Sequence, residues 1–216
     1  MKDIIKIVQP QKIERLSFEI IEKEAGEHSF NEEEWRIVRR IIHTTADFEF
    51  LKLTKFHPKA ISSGKEAIKR GCKIFTDTEM AKAGINKTRL KKFGCEVLCY
   101  INHPEVISLS KANNITRASA SVEYLLDQLQ DNIYVVGNAP TALIKLFEVI
   151  NTFKIKPALV VAVPVGFVNA KESKDLFIKY KPVPFIATEG RKGGSAIGAA
   201  IINEITQIVS EEKIHI

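Results

Sequence analysis

Five short runs rich in β-branched residues constrain the fold of this chain more than any other feature. Each run is bounded by Gly, Pro, Asn or Asp and separated from the next by a segment with helical spacing, which is typical of buried strands. This alternation predicts an α/β fold with a mainly parallel sheet of about five strands and helices on both faces. The predicted strands cover residues 72–75, 95–101, 133–136, 159–163 and 185–188.

Two helical segments, residues 12–23 and 31–43, precede the sheet. Asn31 is a predicted N-cap, because three glutamates follow it and the positive end of the helix dipole favours negative charge there. The helical spacing of the second segment separates an apolar face from a face of nitrogen donors. The apolar face holds Trp35, Val38 and Ile42, and the donor face holds Arg36, Arg40 and His43.

The length of 216 residues fits one domain, residues 1–216, with a sizeable core. The longest apolar stretch, residues 158–168, contains a proline and is too short for a spanning helix. The first ten residues lack the apolar core and cleavage site of a signal peptide. We therefore predict a cytoplasmic protein without membrane attachment.

The three cysteines form an odd set in a chain large enough not to need disulfides. Cys95 and Cys99 lie in a predicted strand without a His or Cys partner at metal-ligand spacing. Buried packing is thus favoured over metal binding, and no metal site is predicted.

The net charge of +6 favours an anionic partner, which at this point is either a small polyanion or a nucleic acid. No block of five or six like charges marks a nucleic-acid tail, and the few aromatic residues are not interleaved with a basic stripe. Neither a GxxxxGK[ST] loop nor a GxGxxG after a strand is present. Nucleotide chemistry is weakly supported, and nucleic-acid binding is disfavoured.

Three glycine-bearing segments directly follow three predicted strands. Loops that leave the carboxyl ends of parallel strands converge on the crevice where ligands bind, so we expect these segments at one rim. Each alone is equally well explained as a strand-to-helix turn, but three together favour a site for anions at helix N-termini. We expect Asn138 and Ser195 to cap the following helices, with Pro140 in the first helical turn. The segments are GNAPTAL from Gly137, PVGFVNAKESK from Pro164 and EGRKGGS from Glu189.

His43 ends the second helix and is followed by the polar residues Thr44, Thr45 and Asp47. A lone histidine more often has a structural or surface role, but Arg40 lies one turn before it. A guanidinium beside an imidazole suits the binding of a carboxylate next to an acid. The remaining histidines lack such neighbours, and we interpret them as structural or exposed. They are His28, His57, His103 and His215.

At this point the residues match a known family over roughly residues 8 to 206: the sequence resembles the precorrin-8X methylmutases. An early segment with Ser17 fits the family's N-terminal pattern, and five further motifs occur in order. These motifs are RRIIHTTAD from Arg39, ITRASA from Ile115, GNAPTAL from Gly137, PVGFVNAKESK from Pro164 and GRKGGS from Gly190.

The resemblance implies an isomerase of cobalamin biosynthesis that shifts a methyl group from carbon 11 to carbon 12 of the corrin ring. It also implies a three-layer flavodoxin-like fold, a homodimer, a tetrapyrrole polycarboxylate substrate and no cofactor. Carried over by motif position, His43 is the proton donor and acceptor. The implied substrate contacts are Ser17, Arg40, Thr44, Arg117, Arg191, Gly193, Gly194 and Ser195.

The residues fit this chemistry by themselves. A sigmatropic methyl shift has no leaving group and needs no redox partner, so the protein has to hold the macrocycle and place a proton on it. An imidazole suits proton transfer near neutral pH. A corrinoid carrier that catalyses nothing is the alternative, and the sequence leaves open whether the substrate contains cobalt.

Overall fold

The computed structural model describes residues 9–213, and the interpretations of His215 and of the first eight residues lie outside them. The described part is an α/β protein built on one six-stranded sheet in the order β1-β6-β5-β4-β2-β3. All neighbouring strands are parallel except β1 and β6, which are antiparallel. The strands are β1 Thr54–Phe56, β2 Lys73–Thr76, β3 Glu96–Leu98, β4 Ile133–Val136, β5 Leu159–Ala162 and β6 Phe185–Thr188.

All five predicted strands are present, so the mainly parallel sheet is confirmed. The sequence analysis missed β1, which adds the antiparallel edge next to β6. Its three residues are too few for a period-2 pattern. The second predicted strand, residues 95–101, is shorter than expected: β3 ends at Leu98, before a turn at Ile101.

Eleven helices are found in residues 9–213. They are α1 Pro10–Ala25, α2 Glu32–Thr45, α3 Phe50–Leu53, α4 Ala60–Lys69, α5 Glu79–Gly84, α6 Lys87–Lys91, α7 Pro104–Ala112, α8 Arg117–Tyr124, α9 Pro140–Phe153, α10 Ala170–Tyr180 and α11 Ser195–Glu212, with a 3₁₀ turn at Leu126–Gln128. None of the helices in this range is both long and apolar enough to cross a bilayer.

Helices pack on both faces of the sheet, because alternate strand residues point to opposite sides. On one side Ile74 and Val135 join a buried cluster with α2, α4 and α11. On the other side Phe75 and Tyr134 join a cluster with α8, α9 and α10. Full burial of one such large apolar side chain contributes roughly 1.5–3 kcal/mol, so the two clusters hold the helices on the sheet.

Helix α2 begins as predicted. Asn31 accepts a hydrogen bond from the Glu34 N–H, and the Glu34 carboxylate accepts one from the Asn31 N–H, which forms a capping box. Arg36 pairs with Glu204 and Glu211 of α11, whereas Arg40, further along α2, pairs with the earlier Glu204. The two helices therefore run antiparallel, and the end of α2 that carries His43 lies towards the start of α11.

Candidate active site

The donor face predicted for α2 lines a cavity of 1090 Å³, which we call the polar cavity. Arg36, Arg40 and His43 all line it, as does Thr44 at the helix end. The opposite face of α2 is buried in the core, which fixes the rotation of the helix. The volume exceeds the roughly 300–1,000 Å³ of sites for drug-sized ligands, so the polar cavity has room for a macrocycle.

The imidazole of His43 is half-buried at the wall of this cavity. Its Nδ1 lies 2.7 Å from the Ser17 hydroxyl oxygen on α1. The Phe18 ring packs edge-on against it at 5.3 Å between centroids. Among residues 9–213 the imidazole makes this one hydrogen bond. Ser17 thus orients the ring through Nδ1, and Nε2 has no hydrogen-bond partner in the described part of the chain.

Arg40 is held between two carboxylates of different exposure. Its Nε donates to Glu204, whose side chain is 4% exposed, and its Nη1 pairs with Glu14, whose side chain is 60% exposed. Burial by itself lowers the pKa of Arg40, but hydrogen bonds to both carboxylates outweigh it and raise the pKa. The hydrogen bond from Arg40 likewise lowers the pKa of Glu14. Glu204 is a fixed partner, whereas Glu14 faces solvent.

A second, smaller cavity of 480 Å³ adjoins the same imidazole, and we call it the apolar groove. It is lined chiefly by α1 side chains such as Ile13, Leu16 and Ile20, together with Ser17 and His43. Isoleucine side chains offer dispersion contacts and no hydrogen bonds. His43 therefore sits where a charged surface and an apolar surface meet.

The three glycine loops meet at the carboxyl ends of β4, β5 and β6, as predicted. A Cβ on Gly137 would lie 2.6 Å from the Ser195 Cα, and a Cβ on Gly193 would lie 2.2 Å from the Val163 carbonyl oxygen. The Gly166 N–H donates to the Arg191 carbonyl. At Gly137 and Gly193 the contacts leave no room for any side chain.

The prediction that the Gly137 loop offers free N–H groups to a ligand is wrong. The N–H groups of Gly137, Asn138 and Ala139 all donate to the buried carboxylate of Asp77, at 2.7–2.9 Å. Burial raises the pKa of Asp77, and these backbone hydrogen bonds oppose that rise. The buried Asp77 carboxylate accepts the hydrogen bonds of all three N–H groups. The loop is therefore a structural turn.

Both predicted side-chain caps are also wrong. Ala139, not Asn138, is the N-cap of α9, and Pro140 begins the helix as expected. Ser195 is the first residue of α11, and its hydroxyl pairs with the Thr78 hydroxyl at 2.9 Å. Ser195 therefore ties α11 to the end of β2.

The loop after β6 is joined to the end of α2 through an ion pair, with 2.5 Å between the Lys192 Nζ and Asp47 Oδ2. Asp47 follows the helix that carries His43, so this contact brings the rim and the imidazole together. The hydrogen bond from Lys192 lowers the pKa of Asp47.

The predicted site residues fall into two groups. His43, Arg40 and Thr44 line the polar cavity, and Ser17 lines the apolar groove with His43. The others line neither cavity, and their contacts with substrate stay predictions; they are Arg117, Arg191, Gly193, Gly194 and Ser195. Arg117 begins α8 and donates to the Asn102 side chain at 2.9 Å.

The sequence analysis missed three residues of this region. Phe18 lies under two guanidinium groups, 4.3 Å from that of Arg39 and 4.7 Å from that of Arg40. Glu204 and Asp77 are buried carboxylates. Phe18 follows Ser17 directly, which is a usable signal, but nothing local marks Asp77 or Glu204, because their partners are at least 60 residues away in sequence.

Comparisons with known proteins agree with this geometry. The family model described as precorrin-8X methylmutase matches residues 12–208. A cobalt-precorrin-8 methylmutase from Leptospira interrogans is 48% identical over 93% of this chain and 94% of its own length. A precorrin-8X methylmutase from Sinorhizobium sp is 37% identical over 88% and 91%.

A crystal structure of precorrin-8X methylmutase from Thermus thermophilus superposes with a TM-score of 0.87 at 44% identity, covering 94% of this chain and 97% of that one. The family model, the sequence relatives and the superposed crystal structure therefore indicate the same family over most of this chain. The chain belongs to the precorrin-8X methylmutase family and is an isomerase of cobalamin biosynthesis.

Proposed function

We propose that this enzyme moves a methyl group from carbon 11 to carbon 12 of precorrin-8X or cobalt-precorrin-8, with His43 as proton donor and acceptor, giving hydrogenobyrinate or cobyrinate. The observation that carries the proposal is the 2.7 Å contact between Ser17 and Nδ1 of an imidazole at the wall of a 1090 Å³ cavity. With Nδ1 engaged, Nε2 is the atom that exchanges a proton with the ring.

In the proposed reaction His43 both donates a proton and takes it back. Nε2 gives a proton to the macrocycle, which makes carbon 12 more electron-poor. The bond between the methyl group and carbon 11 breaks as the bond to carbon 12 forms. The proton then returns to Nε2, so no group leaves and no oxidant is consumed. General acid catalysis contributes about 10²–10⁴ in rate, and the fixed geometry of the bound ring supplies the remainder.

The arginines of the polar cavity suit the carboxylates of such a substrate. Arg40 pairs with the buried Glu204 through Nε and with the exposed Glu14 through Nη1. Because Glu14 faces solvent, a substrate carboxylate can replace it while the pair with Glu204 stays in place. Charge-assisted hydrogen bonds of this kind are about twice as strong as neutral ones. Thr44 adds a hydroxyl at the same wall, and Ser17 contacts substrate beside the imidazole.

The remaining expectations belong to the same proposal. Arg117 and the loop from Arg191 to Ser195 are proposed as further substrate contacts. We propose that the chain forms a single domain and that the protein is cytoplasmic. We also propose a three-layer flavodoxin-like fold, which the strand order of β2 to β6 supports. A homodimer is supported by exposed apolar side chains outside both cavities, such as Phe153, Phe167 and Val168, and sedimentation velocity should give twice 24.3 kDa.

The test is turnover of the metal-free and the cobalt-containing substrate in separate incubations, followed by absorption spectra over time. His43→Ala should lower turnover by about 10²–10⁴ and leave product binding within a few-fold of the unmodified enzyme. His57→Ala, a half-buried histidine that lines neither cavity, is the matched control. If His43→Ala loses binding as severely as turnover, His43 is a ligand contact and the proton-transfer role is wrong.

A further inference from the structure

Lys174 on α10 is a charged residue that the proposed reaction leaves unused. Its side chain is fully buried, and its ammonium donates to the Lys192 carbonyl oxygen at 2.8 Å. The adjacent Asp175 pairs with Lys171 instead, and within residues 9–213 no ion pair includes Lys174. Burial lowers the pKa of Lys174 to about 8, so most of it is still charged at pH 7. A buried cation without a carboxylate partner is costly, which suggests a role beyond packing.

The Lys192 carbonyl oxygen accepts hydrogen bonds from two side chains. Besides Lys174, the Thr188 hydroxyl of β6 donates to the same oxygen at 2.8 Å. In a trans peptide the C=O of one residue and the N–H of the next point in opposite directions, and the described chain has no cis peptide bond. The N–H of Gly193 therefore points away from Lys174, and among the described residues it has no hydrogen-bond acceptor.

The exposed Arg191 side chain beside this N–H favours an anion. The Lys192 ammonium is already paired with the carboxylates of Asp47 and Glu49. Gly193 is pressed against the end of β5, where a Cβ would meet the Val163 carbonyl, so its backbone cannot shift easily. The orientation of the peptide between Lys192 and Gly193 is thus fixed by hydrogen bonds from Lys174 and Thr188 and by contact of Gly193 with the end of β5.

We propose that Lys174 is a positioning residue of substrate binding: its buried ammonium fixes the peptide between Lys192 and Gly193 so that the Gly193 N–H donates to a carboxylate of the substrate. The proposal rests on the proposed function, since it takes the loop from Arg191 to Ser195 as a substrate contact. Lys174 acts through the loop and does not touch the substrate.

The first measurement is steady-state kinetics of Lys174→Met, which keeps side-chain length and removes both charge and donor. The variant should fold with an unchanged or higher Tm, because a buried unpaired charge is removed. KM should rise about tenfold, the equivalent of one hydrogen bond, with kcat within about twofold. Lys171→Met, on the exposed side of the same helix, is the control and should change neither. Thr188→Val removes the second donor and should raise KM by less.

The second measurement needs no turnover. The amide signal of Gly193 in ¹⁵N-labelled protein without ligand should shift in Lys174→Met and stay in place in Lys171→Met. A shifted signal with raised KM supports the proposal. An unshifted signal, an unchanged KM, or a KM change that merely accompanies equal losses of kcat and Tm overturns it. If the unmodified enzyme turns over neither substrate, the proposed function fails, whereas a shifted Gly193 signal still supports the hold of Lys174 on the peptide.

Discussion

The two cavities that meet at His43 are built from opposite chemistry. The polar cavity is lined by four arginines and five glutamates, and the apolar groove is lined mainly by aliphatic side chains of α1. The same helix α1 contributes Glu14 to the first and Ile20 to the second. One amphipathic helix thus divides the space around the imidazole into a side for charge and a side for apolar contact.

This difference predicts how strongly a substitution in each cavity affects the protein. The polar cavity depends on tertiary ion pairs with a buried centre at Glu204, so its parts are coupled. The apolar groove depends on separate side chains of which Ile13 and Ile20 are more than half exposed, so each contributes little by itself. Substitutions should therefore have larger effects in the polar cavity than in the apolar groove.

The largest effect is expected from Glu204→Gln. The amide keeps one acceptor oxygen but removes the buried negative charge that faces Arg36 and Arg40, and its NH₂ group points a donor at one of the two guanidinium groups. This should cost roughly 3 kcal/mol of stability. Urea unfolding measures it. Glu211→Gln, which also removes a partner of Arg36 but at a site with a 40% exposed side chain, should cost about 1 kcal/mol or less. Equal losses for both variants would show that burial does not distinguish them.

Arg40→Met comes next and tests the carboxylate role of the polar cavity. Losing a charged hydrogen bond costs roughly 1.5–3 kcal/mol, so KM should rise about 10- to 100-fold while kcat falls much less. The assay is steady-state turnover on protein whose folding is verified by circular dichroism. Arg15→Met, an exposed arginine paired with Glu19 on α1, should leave KM unchanged. A KM unaffected by Arg40→Met would show that Arg40 binds no substrate carboxylate.

Ser17→Ala probes the boundary between the two cavities. The variant loses the hydrogen bond that orients His43, a contribution of about 1 kcal/mol, so kcat should fall about fivefold. KM should rise by a smaller factor, because the proposed contact of the Ser17 hydroxyl with substrate is lost as well. The control is Ser62→Ala, whose exposed hydroxyl bonds only locally, to the Lys59 carbonyl. A rise in KM without a fall in kcat would leave Ser17 as a substrate contact only and would contradict its role in orienting His43.

The smallest effect should come from Ile20→Ser in the apolar groove. Its side chain is 55% exposed, so the apolar area it can still bury against a ligand corresponds to about 1 kcal/mol or less. KM should rise about two- to fivefold in turnover assays, and kcat should be unchanged. Met80→Ser, an exposed residue of α5, serves as control. A rise in KM as large as that of Arg40→Met would contradict the prediction that the polar cavity is the more sensitive of the two.

Local signals predicted much of this site. The capping box at Asn31 and the spacing of Arg36, Arg40 and His43 depend on residues within a few turns of one helix, and the structure confirms both. The predicted caps at Asn138 and Ser195 failed for the opposite reason. Their loops satisfy hydrogen bonds through Asp77 and Thr78, which belong to another strand end.

The sequence by itself determined the mainly parallel sheet and the helix face that carries His43, because strand and helix periodicities are properties of neighbouring residues. It also determined the family, through ordered motifs spread over most of the chain. The tertiary structure alone decided the partners of the buried charges: Glu204 for Arg40, Asp77 for the Gly137 loop and the Lys192 carbonyl for Lys174. These pairings join groups that are 18 or more residues apart in the chain. The packing of α2 against α11, the pairing of β2 with β4 and the position of α10 beside the loop after β6 bring them within hydrogen-bond distance.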